Sequence, residues 1–164
     1  MNYRILPLAH SPEHAAGVAE RIYALWGRLI REDTGMSVVE FTEVIRSRAV
    51  TDRVPLTLIA LAGDDLVGMV SLKQHEDTTA PGLSPWISGL LVDDALRGKG
   101  LGAALLGEAE AMAATLGYPE LYLSCEPHVE HFYARSGWTL IRRTLSCGND
   151  VALMKKRLVQ EESA

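Results

Sequence analysis

The 164-residue sequence predicts an α+β fold: a mixed β-sheet, antiparallel in its N-terminal half, with one parallel strand pair and helices on both faces. Three observations carry that reading. Two β-rich runs, Leu56 to Ala62 and Leu66 to Gln74, flank the turn-forming Gly63-Asp64-Asp65, which makes an antiparallel hairpin. A strand pattern from Trp86 to Val92, a helical pattern from about Gly100 to Leu116 and a strand pattern from Leu121 to Ser124 make one right-handed βαβ unit, so those two strands run parallel. Helical spacing of apolar residues dominates the segment before the hairpin.

Taken in order, Tyr3 to Leu8 reads as a first short strand. Ser11-Pro12-Glu13 has the form of a helix start, with a Ser cap, Pro at the first helical position and an acid in the first turn. Val18, Ile22, Leu25, Trp26, Leu29 and Ile30 then fall on one helical face, and Asp33-Thr34-Gly35 breaks the run. Ser37 followed by Glu40 is a capping-box pattern opening a second helix through Phe41, Val44 and Ile45. Beyond the hairpin, a polar loop leads from His75 to Pro85. In the long helix Leu101, Leu105, Ala109, Met112 and Leu116 share a face, with Gly117 as the stop. Val129, Phe132 and Tyr133 mark a short helix ending at Gly137. Trp138 to Leu145 and Val151 to Leu158 pair around Ser146-Cys147-Gly148-Asn149-Asp150.

Composition narrows the function classes. Apolar residues make up 48% and charged residues 23%, the balance of a globular domain. One domain over residues 1–160 is expected, with a frayed acidic tail at 161–164. A net charge of −5 argues against a broad nucleic-acid face. Cys125 and Cys147 form neither a metal spacing nor a disulfide framework. No metal is expected. No apolar run approaches the roughly 20 residues that span a bilayer, and the N-terminus lacks signal-peptide anatomy. A cytoplasmic protein without membrane attachment is the expectation.

The chemistry concentrates in Leu90-Leu91-Val92-Asp93-Asp94-Ala95-Leu96-Arg97-Gly98-Lys99-Gly100-Leu101-Gly102-Ala103. Here a strand enters a glycine-rich turn and then a helix. Gly98, Gly100 and Gly102 leave backbone N–H groups uncovered, the helix start adds positive partial charge, and Arg97 and Lys99 flank it. Such a concavity suits a phosphate or pyrophosphate. It is not a P-loop, because no G-x-x-x-x-G-K-[ST] occurs. Gly98 to Ala103 formally satisfies a Rossmann G-x-G-x-x-A, with acidic Glu126 after the following strand. Five residues separate Val92 from Gly98, however, and an antiparallel hairpin precedes the motif, which is the wrong context.

Arg97-x-x-Gly100-x-Gly102, after an apolar strand and opening an amphipathic helix, resembles the acetyl-coenzyme A signature of the GNAT superfamily of N-acetyltransferases. Gly68 in the hairpin and Phe132-Tyr133-Ala134-Arg135-Ser136-Gly137-Trp138, similar to that family's F-Y-x-x-x-G-[FW] ending, extend the likeness over roughly residues 56–145. One departure stands out: Cys125-Glu126-Pro127-His128 lacks the asparagine that many members carry after the fifth strand.

The resemblance implies a GNAT-like sheet and direct transfer of acetyl from acetyl-CoA to a primary amine on a small molecule or peptide. The backbone of Leu90, Leu91 and Val92 would face the pantetheine arm and thioester. The turn of Arg97, Gly98, Lys99, Gly100, Leu101, Gly102 and Ala103 would hold the pyrophosphate. Tyr133 stands at the position of the family's general acid, and a phenol of pKa about 10 suits a thiol leaving group near 8.5. By spacing alone Tyr133 reads as core, since it shares a face with Val129 and Phe132. For the base, His75, Glu76 and Asp77 end the third strand and Ser88 lies on the fourth. Glu76 is the first choice, although water can replace a dedicated base.

Cys125 reads as a small buried hydrophobe rather than a ping-pong thiol. Trp26, Trp86 and Trp138 read as packing of the core or rim, and Trp86, after Pro85, is also a candidate wall of the acceptor cleft. The acidic set Asp33, Glu40, Glu43, Glu76 and Asp77 would suit a cationic amine. A non-catalytic acetyl-CoA sensor is the competing function, the acceptor is unspecified, and the edge strands leave a homodimer open.

Overall fold

Alternating and continuous apolar runs become strands where they can be buried, and here they do so in the predicted order. The computed structural model describes residues 2–76, 80–146 and 148–159; Asp77, Cys147 and the tail lie outside them. The elements are β1 (Arg4–Pro7), α1 (Ala15–Thr34), α2 (Val38–Ser47), β2 (Leu56–Ala62), β3 (Asp65–Lys73), β4 (Trp86–Val92), α3 (Leu101–Thr115), β5 (Glu120–Cys125), α4 (Glu130–Arg135), β6 (Thr139–Ser146) and β7 (Asn149–Arg157). Among the described residues seven strands form one sheet, in the order β1-β2-β3-β4-β5-β7-β6. β4 and β5 are the parallel pair, with Trp86 opposite Tyr122. The chain divides into two compact units, Met1–Ser71 with Gly89–Leu106 and Leu72–Ser88 with Gly107–Ala164.

In the first unit, β1 runs antiparallel to β2, with Ile5 opposite Ala60. α1 and α2 bury Val18, Ala19, Ile22, Phe41 and Ile45 against Ile59 and Met69. The opposite face meets α3: a Cβ built on Gly68 would sit 2.9 Å from Leu105 Cδ1 and 3.6 Å from the Ala60 methyl. Both faces of β2 and β3 are therefore covered, which explains their near-continuous apolar sequences. The two hydroxyls caught in this interior, Thr57 and Ser71, satisfy each other at 2.7 Å.

The capping box of α2 forms as predicted, with Glu40 N–H donating to Ser37 Oγ and Ser37 N–H to Glu40 Oε1. The predicted start of α1 shifts. Pro12–His14 is a 3₁₀ turn and the Ser11 side chain caps nothing. Ser11 has φ −149 and ψ 63, which is not the extended conformation of a helix cap. α1 also runs on to Thr34, where Gly35 at φ +73 donates to Arg31 O and closes it.

In the second unit β7 lies between β5 and β6, antiparallel to both. Leu121, Leu123 and Cys125 alternate inward along β5. Lys156 Nζ joins Glu110 Oε1 of α3 at 2.5 Å to the Ser136 carbonyl, just after α4, at 2.7 Å. On α3 the buried line drifts from the predicted stripe: Leu106 and Ala113 are buried, while Met112 and Leu116 are half-exposed.

Candidate active site

The glycine turn belongs to the first unit, and its geometry follows from two left-handed residues. Gly98 has φ +76 and Gly100 φ +86, and a Cβ at either would meet nothing within 4 Å. Conformation rather than space therefore demands glycine there. Among the described residues, no N–H from Gly98 to Ala103 donates to a backbone carbonyl; the first that does is Ala104, to Gly100 O at 3.0 Å. Six consecutive donors thus stand free at the N-terminus of a 15-residue helix. Arg97 is largely exposed, 3.2 Å from Asp94 Oδ1, and the exposed Lys99 has no ion pair among the described residues.

The strand leading into the turn is distorted. Gly89 takes φ +62 in the middle of β4, and its α-carbon faces Ile22 of α1, with Ile22 Cδ1 3.6 Å from a built Cβ. A left-handed residue inside a strand interrupts the ladder as a bulge does, and it precedes the predicted thioester rail at Leu90, Leu91 and Val92. The root of the turn is tied down: Asp93 N–H donates to Val67 O, and Arg21 reaches Asp93 Oδ1 at 3.4 Å and Leu66 O at 2.8 Å.

Tyr133 lies in the second unit, on α4. Its ring packs edge-on against Phe132 and Trp138, with centroids 5.0 and 6.3 Å apart. Burial pushes its hydroxyl up to about 12, with the neighbouring Cys125 adding to the shift. Among the described residues that hydroxyl has no hydrogen-bond partner, and the buried Trp138 Nε1 has none either. Cys125 is buried and its thiol is likewise raised, to about 11, by burial first and then by Glu130 and Glu126. It is held as a neutral thiol.

Glu76 is also in the second unit. Its Oε2 accepts from Lys73 Nζ at 2.6 Å and its Oε1 from Ser88 Oγ at 3.1 Å. No hydrogen bond joins Glu76 to Tyr133. Trp86 takes the core placement of its two sequence readings and not the cleft wall: it is fully buried, its indole N–H donating to Leu83 O at 2.7 Å. Its position on β4, beside Tyr122 of β5, accounts for that burial.

Sequence reasoning missed the Arg21 tie, the Lys73–Glu76–Ser88 bridge and the conformation of Gly89. Only the last left a signal, a glycine inside an otherwise apolar strand.

Comparison with known proteins agrees with this architecture. The Acetyltransferase (GNAT) family model matches residues 22–138. No curated protein matches the chain. Among solved structures, an acetyltransferase of the GNAT family from Streptococcus pneumoniae is 19% identical, with a TM-score of 0.71 over 96% of this chain and 100% of that one. YncA from Salmonella typhimurium, solved with its cofactor acetyl-CoA, is 18% identical with a TM-score of 0.72, covering 100% of this chain and 98% of its own. An aminoglycoside 6′-N-acetyltransferase complexed with coenzyme A is 15% identical with a TM-score of 0.71, over 99% and 100% of the two chains. At these identities the structures speak for the fold, while the family model spans most of the sequence. The chain belongs to the GNAT acetyltransferase family.

Proposed function

We propose that residues 1–160 act as one acetyl-CoA-dependent N-acetyltransferase domain that moves the acetyl group directly to a primary amine. The observation that carries this is the row of free N–H groups from Gly98 to Ala103 at the head of α3, beside Arg97 and Lys99. Its donors fit a pyrophosphate, and relatives with this fold were solved with acetyl-CoA or coenzyme A.

When bound, acetyl-CoA supplies an acyl carbon activated as a thioester. The chain's own groups do the rest. The backbone of Leu90, Leu91 and Val92 orients the thioester and polarises its carbonyl. As the amine nitrogen bonds to that carbon and the carbon–sulfur bond breaks, Tyr133 gives its hydroxyl proton to the departing sulfur. A phenol at about 12 and a thiol near 8.5 differ by about 5 kcal/mol in that transfer. The proton therefore moves only as charge develops on sulfur in equally dry surroundings, and the phenolate left on Tyr133 takes up, through water, the proton that the acylated nitrogen releases as it becomes an amide.

Glu76 takes the proton of the incoming ammonium, directly or through water. Two of the four lone-pair positions of its carboxylate are filled by Lys73 and Ser88, which leaves two to accept.

The test is to incubate the protein with acetyl-CoA and a panel of amino acids, polyamines, peptides and aminoglycosides, and to follow free thiol. Amine-dependent thiol release is expected for at least one class. Saturable acetyl-CoA binding with no release for any amine would favour the sensor instead.

A further inference from the structure

A cavity of about 630 Å³ lies in the second unit, and none of the groups assigned above is among its lining residues. Tyr122 of β5 lines it, and the loop at Gly82 and Leu83 forms one side. That side is anchored, because Trp86 packs at a tilt against Tyr122, with ring centroids 5.9 Å apart, and its indole N–H donates to Leu83 O. The other wall is Leu140, Ile141 and Arg142, three consecutive residues of β6, with Lys155 of β7 alongside.

A regular strand turns successive side chains to opposite faces, so three in a row cannot line one cavity. Here the β6–β7 register slips between Leu140, opposite Met154, and Arg142, opposite Leu153. Ile141 is the extra residue of a bulge, the device that re-aims side chains beside binding sites.

The lining has a definite chemistry. Leu140 and Ile141 are 39% and 36% exposed, which is apolar surface left wet inside a concavity. Among the described residues, the charged members of the lining, Arg142 and Lys155, are both cations. The carboxylate beside it, Glu120, accepts the Tyr122 hydroxyl at 2.6 Å, and that bond keeps the phenol protonated.

We propose that this cavity binds a small amphipathic carboxylate, its apolar body over Tyr122, Leu140 and Ile141 and its head group against Lys155 and Arg142. The volume falls within the usual range for small-molecule sites. Two cations among the described lining residues disfavour a cationic occupant.

The probe is octanoate, compared with octanol and octylamine, titrated into the intact protein and followed by calorimetry and tryptophan fluorescence. Octanoate binds saturably, about tenfold tighter than octanol and tighter still than octylamine. Lys155→Glu, at an exposed position, weakens octanoate about tenfold and leaves octanol unchanged. Ile141→Asp weakens both probes, and Arg142→Gln weakens octanoate alone. Equal affinity for the three head groups, octanoate binding unmoved by Lys155→Glu, or no saturable binding of any probe would overturn the site. No acetyl transfer enters the readout, so its failure is separable from failure of the proposed activity.

Discussion

At the scale of single residues, Tyr133 decides most. Its ring is packed by Phe132 and Trp138 while its hydroxyl has no hydrogen-bond partner among the described residues, and burial holds the proton on up to about pH 12. An acid this weak still serves if it is placed at the sulfur. Tyr133→Phe, which keeps the ring packing, is expected to lower kcat by about 100-fold while shifting the KM for acetyl-CoA less than twofold. Because the folded pKa is raised, the wild type keeps its acid protonated through pH 11, so no alkaline fall in kcat below that point traces to Tyr133. Steady-state kinetics on both proteins over pH 6–11 check both statements; a variant with full turnover would remove the assignment. Tyr133 was legible only through the Phe-Tyr…Gly-Trp ending, since its helical spacing looks like core. The engagement of Glu76 was not legible at all, because Lys73 lies across a bend and Ser88 twelve residues on.

At the scale of elements, the strand–turn–helix from Leu90 onward was the most readable part. Its logic is local: stripped backbone, flanking cations and a helix start all lie in one short run. The hairpin and the βαβ unit were readable for the same reason, through turn chemistry and a change of period. Helix starts fared less well. Ser11 and Ser37 look alike in sequence, yet only Ser37 has the glutamate that completes a reciprocal cap. The turn makes its own prediction. Gly100→Ala forces a left-handed alanine at a cost of about 1–2 kcal/mol, and relaxation of that strain dismantles the donor row. The KM for acetyl-CoA should rise about tenfold. Gly117→Ala, equally left-handed at φ +93 after α3, should cost comparable stability with no change in KM. Thermal melts with kinetics on both variants separate the two effects; matching KM values would refute the cradle.

At the scale of the whole molecule, three groups couple folding to alkaline pH. Burial, with Cys125 beside it, raises Tyr133 to about 12; the hydrogen bond to Glu120 raises Tyr122 to about 12; burial raises Cys125 from 9.0 to about 11. In each case the unfolded chain releases its proton first. Their contributions are therefore complete below about pH 9 and are lost as pH climbs through 9 to 12. Tm should fall over that range, and Cys125→Ala combined with Tyr133→Phe should flatten the fall. A wild-type Tm that stays level from pH 8.5 to 11 would contradict this. The contact at Gly68 carries a last consequence. Leu105 and the Leu91 carbonyl lie 2.9 and 3.1 Å from where a methyl would stand, so this bare α-carbon acts as the seat on which α3 rests. α3 is also the post that carries at its head the amides proposed to hold the pyrophosphate. A change at Gly68 would tilt that post and retune coenzyme grip while every residue touching the coenzyme stayed the same.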